Sequence, residues 1–210
     1  MTWIEVALVV TTVTGVAATL WGEARHRRTV AVIAKALASA SFVLFGALSL
    51  DLGLRFGACL LAGLVLCLVG DVCLAVPGWF RAGLGAFLAG HLAYLAGFAS
   101  RRPPAAWPLA PLAILAPVVA VVLVWLWPRL GRLRWPVVVY VVAIAAMVWG
   151  AFGLAASGAG PWRLALGAAA FFGSDLAVAR DRFVAPGLGN RLWGLPLYYL
   201  GQLLIASSGP

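Results

Sequence analysis

Four ionisable side chains fall inside otherwise apolar runs of this sequence: Lys35, Asp71, His91 and Asp175. A charge near the centre of a membrane helix costs roughly 2.5–3.5 kcal/mol, so such groups face a protein interior and mark functional sites. Two carboxyl groups in unlike surroundings suit acid–base catalysis. Burial favours the protonated form of one, and a nearby lysine favours the ionised form of the other. The same residues also suit a structural ion-pair cluster, or the relay of a proton-coupled transporter. His91 lies on a helical face with Phe87, Tyr94 and Phe98, at spacing i, i+4, i+7, i+11. The adjacent face, Ala86, Gly90, Ala93 and Gly97, lets another backbone approach closely. Tyr199 and Gln202 are three apart on one face near the C-terminus, with Tyr198 beside them. A multi-His zinc site cannot be built, because only His26 and His91 exist and Cys59, Cys67 and Cys73 match no zinc or redox spacing. The cysteines read as small buried hydrophobes, and no metal or cofactor is expected.

The elements that must position these residues are long and apolar. Of 210 residues, 64% are apolar and 10% charged, with a mean hydropathy of +1.05. Soluble domains carry about 25% charged residues, so a soluble enzyme is excluded. Disorder is excluded by the same richness in apolar residues. At about 20 residues per span the chain holds about eight helices and no extramembrane domain. Breaks at charge, Pro and Gly clusters place the helices at about 3–21, 30–49, 54–76, 82–99, 108–127, 135–155, 162–179 and 189–207. The expected fold is an all-α polytopic transmembrane bundle, one domain over residues 1–210. Pro108 and Pro136 fall in first turns, while Pro111 and Pro117 should kink or delay the fifth helix. Trp3, Trp21, Trp79, Trp107, Trp127, Trp135 and Trp162 sit at span ends and read as interface anchors. Glu23, Asp51 and Asp181 lie at loop edges and read as solvated. The N-terminus has no basic n-region, so the first helix is expected to be retained.

Charge sets the expected orientation. The net charge of +9 would suggest nucleic acid on a soluble protein. Here the arginines sit in the breaks between spans, so no nucleic acid partner is expected. The odd-numbered loops carry ten arginines (25, 27, 28, 81, 129, 132, 134, 180, 182 and 191) and the opposite side four (55, 101, 102 and 163). The positive-inside rule then puts the odd loops in the cytoplasm and both termini outside. A chain rich in Arg, Ala and Gly fits the cytoplasmic membrane of a bacterium. On this orientation Lys35, Asp71 and Asp175 lie roughly 6–8 Å below the cytoplasmic surface, and His91 about 14 Å below it. His91, Tyr94, Tyr198, Tyr199 and Gln202 are expected to line a cavity opening from that side.

An internal repeat accompanies the charges. Gly70-Asp71-Val72-Cys73-Leu74-Ala75 can be laid on Ser174-Asp175-Leu176-Ala177, and Gly90–Tyr94 on Tyr198–Gln202, at an offset of about 104 residues. Four helices per half would make the halves parallel, each donating one Asp to a shared centre.

These residues also carry a family resemblance. Gly70-Asp71, followed by Phe87-Leu88-Ala89-Gly90-His91-Leu92-Ala93-Tyr94-Leu95-Ala96-Gly97-Phe98, resembles the G-D and F-x-x-G-H-x-x-Y-x-x-x-F motifs of the YhhN-like family of multi-spanning membrane proteins, which includes the lysoplasmalogenases. Ser174-Asp175 with Phe183 is similar to the family's second motif, and Tyr198 through Ile205 to its Y-x-x-x-Q-x-L-I run. Lys35 matches a lysine near the start of the second helix, where the family often has Lys-Pro and this chain has Lys35-Ala36. The resemblance covers about residues 30–207. It implies hydrolysis of the vinyl ether bond of a lysoplasmalogen, giving a fatty aldehyde and a glycerophospho-base. The implied partners are a lysophospholipid substrate and bilayer lipid, with no obligatory protein partner. Such a reaction begins with proton transfer to carbon, and water captures the oxocarbenium ion. Asp71 and Asp175 would form the catalytic pair, with Lys35, His91, Tyr94, Ser174, Tyr199 and Gln202 in support. Which Asp is the acid stays open at this point, as do the transporter and a non-enzymatic lipid-binding role.

Overall fold

The computed structural model describes residues 2–209, which form eight α-helices and no strand. They are α1 (Trp3–Ala24), α2 (Arg28–Ser49), α3 (Arg55–Ala75), α4 (Phe80–Arg101), α5 (Leu112–Leu126), α6 (Arg134–Ala156), α7 (Trp162–Phe183) and α8 (Leu188–Ala206). Helices α1 to α4, and α5 and α6 with their flanking 3-10 turns, are long and apolar enough to cross a membrane, six spans among the described residues. At 22 and 19 residues α7 and α8 have comparable length but more polar ends. The fold is all-α, as the apolar runs predict, and it belongs in a membrane.

Six helices close into a ring in the order α2, α3, α4, α6, α7, α8, with α8 packed back on α2. Helix α1 lies outside the ring on α2 and α8, and α5 lies outside it on α6. The outer faces are apolar and exposed, as at Val6, Val10 and Val13 of α1 and at Ile114, Val121 and Val124 of α5. An exposed apolar surface on this scale is a surface for lipid.

The two hairpins α3–α4 and α7–α8 are related by the repeat, and glycines set how close their helices come. Gly90 meets α3 at Gly63 and Cys67, while Gly201 meets α7 at Gly167 and Phe171. Gly63 and Gly167 are 104 residues apart, as are Asp71 and Asp175. On the second helix of each hairpin the matching glycines, Gly83 with Gly194 and Gly90 with Gly201, are 111 apart. The repeat therefore runs in a different register from the one its sequence motifs suggest. Gly90–Tyr94 corresponds to 201–205, so that His91 matches Gln202. The additional seven residues are two helical turns, taken up where α7 and α8 overrun their counterparts. A Cβ on Gly201 would lie 2.8 Å from the Gly167 carbonyl oxygen and 3.1 Å from the Phe171 nitrogen. Both are backbone atoms that cannot swing aside. Gly201→Ala is expected to destabilise the bundle by about 1–3 kcal/mol, read as a lowered unfolding midpoint in detergent.

Several expectations need correction. The fifth helix starts at Leu112 rather than near 108, because Pro108 and Pro111 precede it and Pro111 serves as its N-cap. Trp107 is not an interface anchor. It is 4% exposed, stacks edge-on against Trp149, fills the space beside Gly150 and Gly153, and donates its indole N–H to Arg102 O at 2.9 Å. Helix α7 runs on to Phe183, so Arg180, Asp181 and Arg182 are helical rather than in a loop. Glu23 and Asp181 are not simply solvated, since Arg191 lies 3.0 Å from Glu23 and 3.6 Å from Asp181. That bridge ties α1 to α7 and α8. Asp51 is exposed, as expected, and accepts from the Gly53 N–H in its loop.

Candidate active site

A cavity of about 670 Å³ opens at the end of the bundle that carries the α1–α2, α3–α4, α5–α6 and α7–α8 connections. Its walls come from both hydrophobic clusters of the protein. Phe87 and Tyr198 belong to the main core, and Val122, Leu126, Val137 and Val141 to a smaller cluster of α5 and α6. The two intramembrane carboxylates both reach it, from unlike settings.

Asp71 is held on all sides. It is 2% exposed and accepts hydrogen bonds from Ser39 Oγ at 2.7 Å and Tyr198 OH at 2.7 Å, while Lys35 Nζ lies 3.0 Å from its Oδ1. Lys35 and Ser39 are one turn apart on α2 and so present one face to it. Tyr199 extends the network, its hydroxyl lying 3.0 Å from Ser39 Oγ and 3.2 Å from the Lys35 carbonyl oxygen. A cation and two hydroxyl donors leave no acceptor among these partners for a carboxyl proton. Asp71 has the contacts of an anion.

Asp175 has no cation of that kind. Its Oδ2 accepts from Tyr140 OH at 2.7 Å and lies 3.4 Å from His91 Nε2. His91 is fully buried, with Nε2 3.0 Å from Tyr140 OH. Since the tyrosine proton points to Asp175, the assigned tautomer has the His91 Nε2–H donating to the Tyr140 oxygen. Asp175 Oδ1 has no hydrogen-bond partner among the described residues, and the side chain is 17% exposed toward the cavity. One oxygen is therefore fixed and the other is free to carry a proton.

Aromatic rings separate the two clusters. The Phe171 ring lies 4.6 Å from that of His91 and 5.3 Å from that of Tyr198, and Phe87 stands edge-on to both Phe171 and Tyr198.

Of the residues singled out in the sequence, Lys35, Asp71, Ser174, Asp175 and Tyr198 line the cavity. Ser174 uses its hydroxyl proton on the Phe171 carbonyl of its own helix, at 2.9 Å. His91, Tyr94, Tyr199 and Gln202 do not line it, contrary to expectation. They lie behind its wall, fully or almost fully buried, with Tyr94 OH donating to Gln202 Oε1 at 2.7 Å. Sequence reasoning missed Ser39 and Tyr140 and gave Tyr198 too small a part. The signal for Ser39 was its place one turn from Lys35. The signal for the tyrosines was their scarcity: the chain has 4, all buried, while its 10 Trp take most of the span ends.

A helical bundle with an apolar exterior and a carboxylate-bearing cavity inside is an integral membrane protein with an internal polar site. The family model described as the YhhN family matches residues 30–209, and the chain belongs to that family. The chain is 37% identical over 148 residues to a protein of Mycobacterium bovis named lysoplasmalogenase, a match covering 67% of this chain and 54% of the relative. It is 33% identical over 187 residues to the lysoplasmalogenase TMEM86B of Sus scrofa, covering 85% of this chain and 75% of the relative. The human protein of that name is 38% identical over 154 residues, covering 71% of this chain and 62% of the relative. The chain thus spans about half the length of the mycobacterial relative. No solved structure matches it.

Proposed function

We propose that the chain hydrolyses the vinyl ether bond of a lysoplasmalogen-type lysolipid, releasing a fatty aldehyde and a glycerophospho-base. The observation that carries this reading is the unlike partnering of Asp71 and Asp175 at one cavity, the division that general acid and electrostatic stabiliser require. The names of the relatives point to the same substrate class. A cavity of about 670 Å³ also falls within the usual range for an organic ligand.

Asp175 acts as the acid. The proton on Oδ1 passes to the second carbon of the alkenyl chain, which takes it with the π-electron pair. Positive charge then spreads over the first carbon and the ether oxygen. Asp71, paired with Lys35, stabilises that cation, and the Asp175 carboxylate left by the first step takes a proton from the attacking water. Water adds at the first carbon, and the hemiacetal collapses to the aldehyde and a glycerol hydroxyl. Protons released in these steps restore Asp175, so no net acid is consumed. Tyr140 fixes the orientation of Asp175, and His91 fixes Tyr140. Tyr140→Phe removes the donor to Oδ2 but not the acid, so kcat is expected to fall roughly tenfold with KM little changed, measured by steady-state aldehyde release.

The end of the bundle at the mouth, loops and helix ends together, carries ten of the 14 arginines, so the mouth faces the cytoplasm and the lysolipid enters from that leaflet. The test is mass spectrometry of purified protein in detergent, incubated with lysoplasmenyl-ethanolamine and, separately, with its saturated alkyl-ether analogue. Aldehyde is expected from the first and not from the second. Detergent abolishes any gradient, so a proton-coupled transporter would release none. Absence of aldehyde from folded protein would end the hydrolase reading.

A further inference from the structure

We infer that the mouth of the cavity binds the phosphate of a lysophospholipid between Arg28 and Arg182. For the identity of the reacting lipid the inference rests on the hydrolase reading; for the phosphate it rests on the mouth alone. Three arginines line the cavity: Arg28, Arg182 and Arg191. Arg191 is engaged by Glu23 and Asp181. Neither Arg28 nor Arg182 has a carboxylate within 4.0 Å among the described residues.

Both are nonetheless held in place. Arg28 Nη2 donates to the Ala75 carbonyl oxygen at 3.2 Å, and the Arg182 guanidinium lies 4.4 Å from the centre of the Phe80 ring. Ala75 ends α3 and Phe80 begins α4. The two guanidinium groups therefore flank one short loop at the entrance, each anchored on one edge with its other donors open. An anion with several acceptor oxygens matches that pair, and a phosphodiester is such an anion.

The spacing fits a lysolipid. Arg28 precedes Lys35 by seven residues on α2, and Arg182 follows Asp175 by seven on α7. Seven residues are about two turns, so each arginine stands over its partner on one face, about 10 Å toward the mouth. In a glycerophospholipid, seven bonds separate phosphorus from the second alkenyl carbon, about 9 Å when extended. A phosphate at the arginines places the vinyl ether beside the carboxylates. The arginines act as positioning residues that set how deep the chain is inserted.

The probe is a non-cleavable alkyl-ether lysophosphoethanolamine, titrated against the purified full chain in detergent. The alkylglycerol of equal chain length and inorganic phosphate are titrated beside it. Arg28→Gln and Arg182→Gln are each expected to weaken the lysophospholipid roughly tenfold and leave the alkylglycerol unchanged. Arg132→Gln, an exposed arginine at the same end but outside the cavity, is expected to change neither. Equal losses on both lipids, or an equal loss in Arg132→Gln, would overturn the site. Inorganic phosphate binding as tightly as the lysophospholipid would overturn the headgroup assignment in favour of free phosphate. The probe has no vinyl ether, so the expected pattern without aldehyde release from the cleavable lipid would uphold the phosphate site and reject the hydrolase.

Discussion

Asp175→Asn is expected to lower kcat for aldehyde release by about 10²–10⁴-fold, the usual contribution of a positioned general acid. Asparagine keeps the size of the side chain and an oxygen to accept from Tyr140, so the contact at 2.7 Å can survive. What it lacks is a carboxyl proton for carbon. Since one accepted hydrogen bond is retained, the unfolding free energy should change by less than about 1 kcal/mol. Lysolipid binding, measured with the alkyl-ether analogue, should stay within about twofold, because uniform binding is not what the substitution removes. Turnover and stability falling together would instead mark Asp175 as structural.

The second large effect falls on stability as well as turnover. Asp71→Asn leaves Lys35 without its counter-ion, and its side chain is only 16% exposed. Breaking a buried ion pair from one side costs about 3–5 kcal/mol. The lower part of that range is expected, because the lysine stem is long enough to carry its charge toward the mouth. Combining Asp71→Asn with Lys35→Met removes the orphaned charge and should restore most of the stability. Turnover should not return, because the anion facing the oxocarbenium ion is still missing. Unfolding in detergent and aldehyde release, measured on both single variants and the double variant, separate the two roles. If turnover returns with stability, Asp71 serves only to pair with Lys35.

Much of this was legible in the sequence because a membrane makes polar residues expensive. Lys35, Asp71, His91 and Asp175 stand out for that reason, and all four lie inside the bundle. The pairing of Lys35 with Asp71 rather than with Asp175 was not legible, because depth along a helix axis says nothing about which way it faces round the ring. Ser39 and Tyr140 escaped notice because an uncharged hydroxyl gives only a weak hydropathy signal, and its partner carboxylate lies on another helix. The repeat was visible through its aspartates, but its register on α4 and α8 depended on helix overruns that only packing at Gly90 and Gly201 fixes. Trp107 misled because an indole at a span end looks the same whether it meets the interface or fills the gap beside Gly150 and Gly153.

The central claim, proton transfer from Asp175 to carbon followed by capture with water, is tested most directly by turnover of lysoplasmenyl-ethanolamine in D₂O with mass spectrometry of the aldehyde. The account predicts a fatty aldehyde carrying one deuterium on the carbon next to the carbonyl, from wild type and not from Asp175→Asn. Aldehyde without that deuterium, or equal release by the variant, would contradict it.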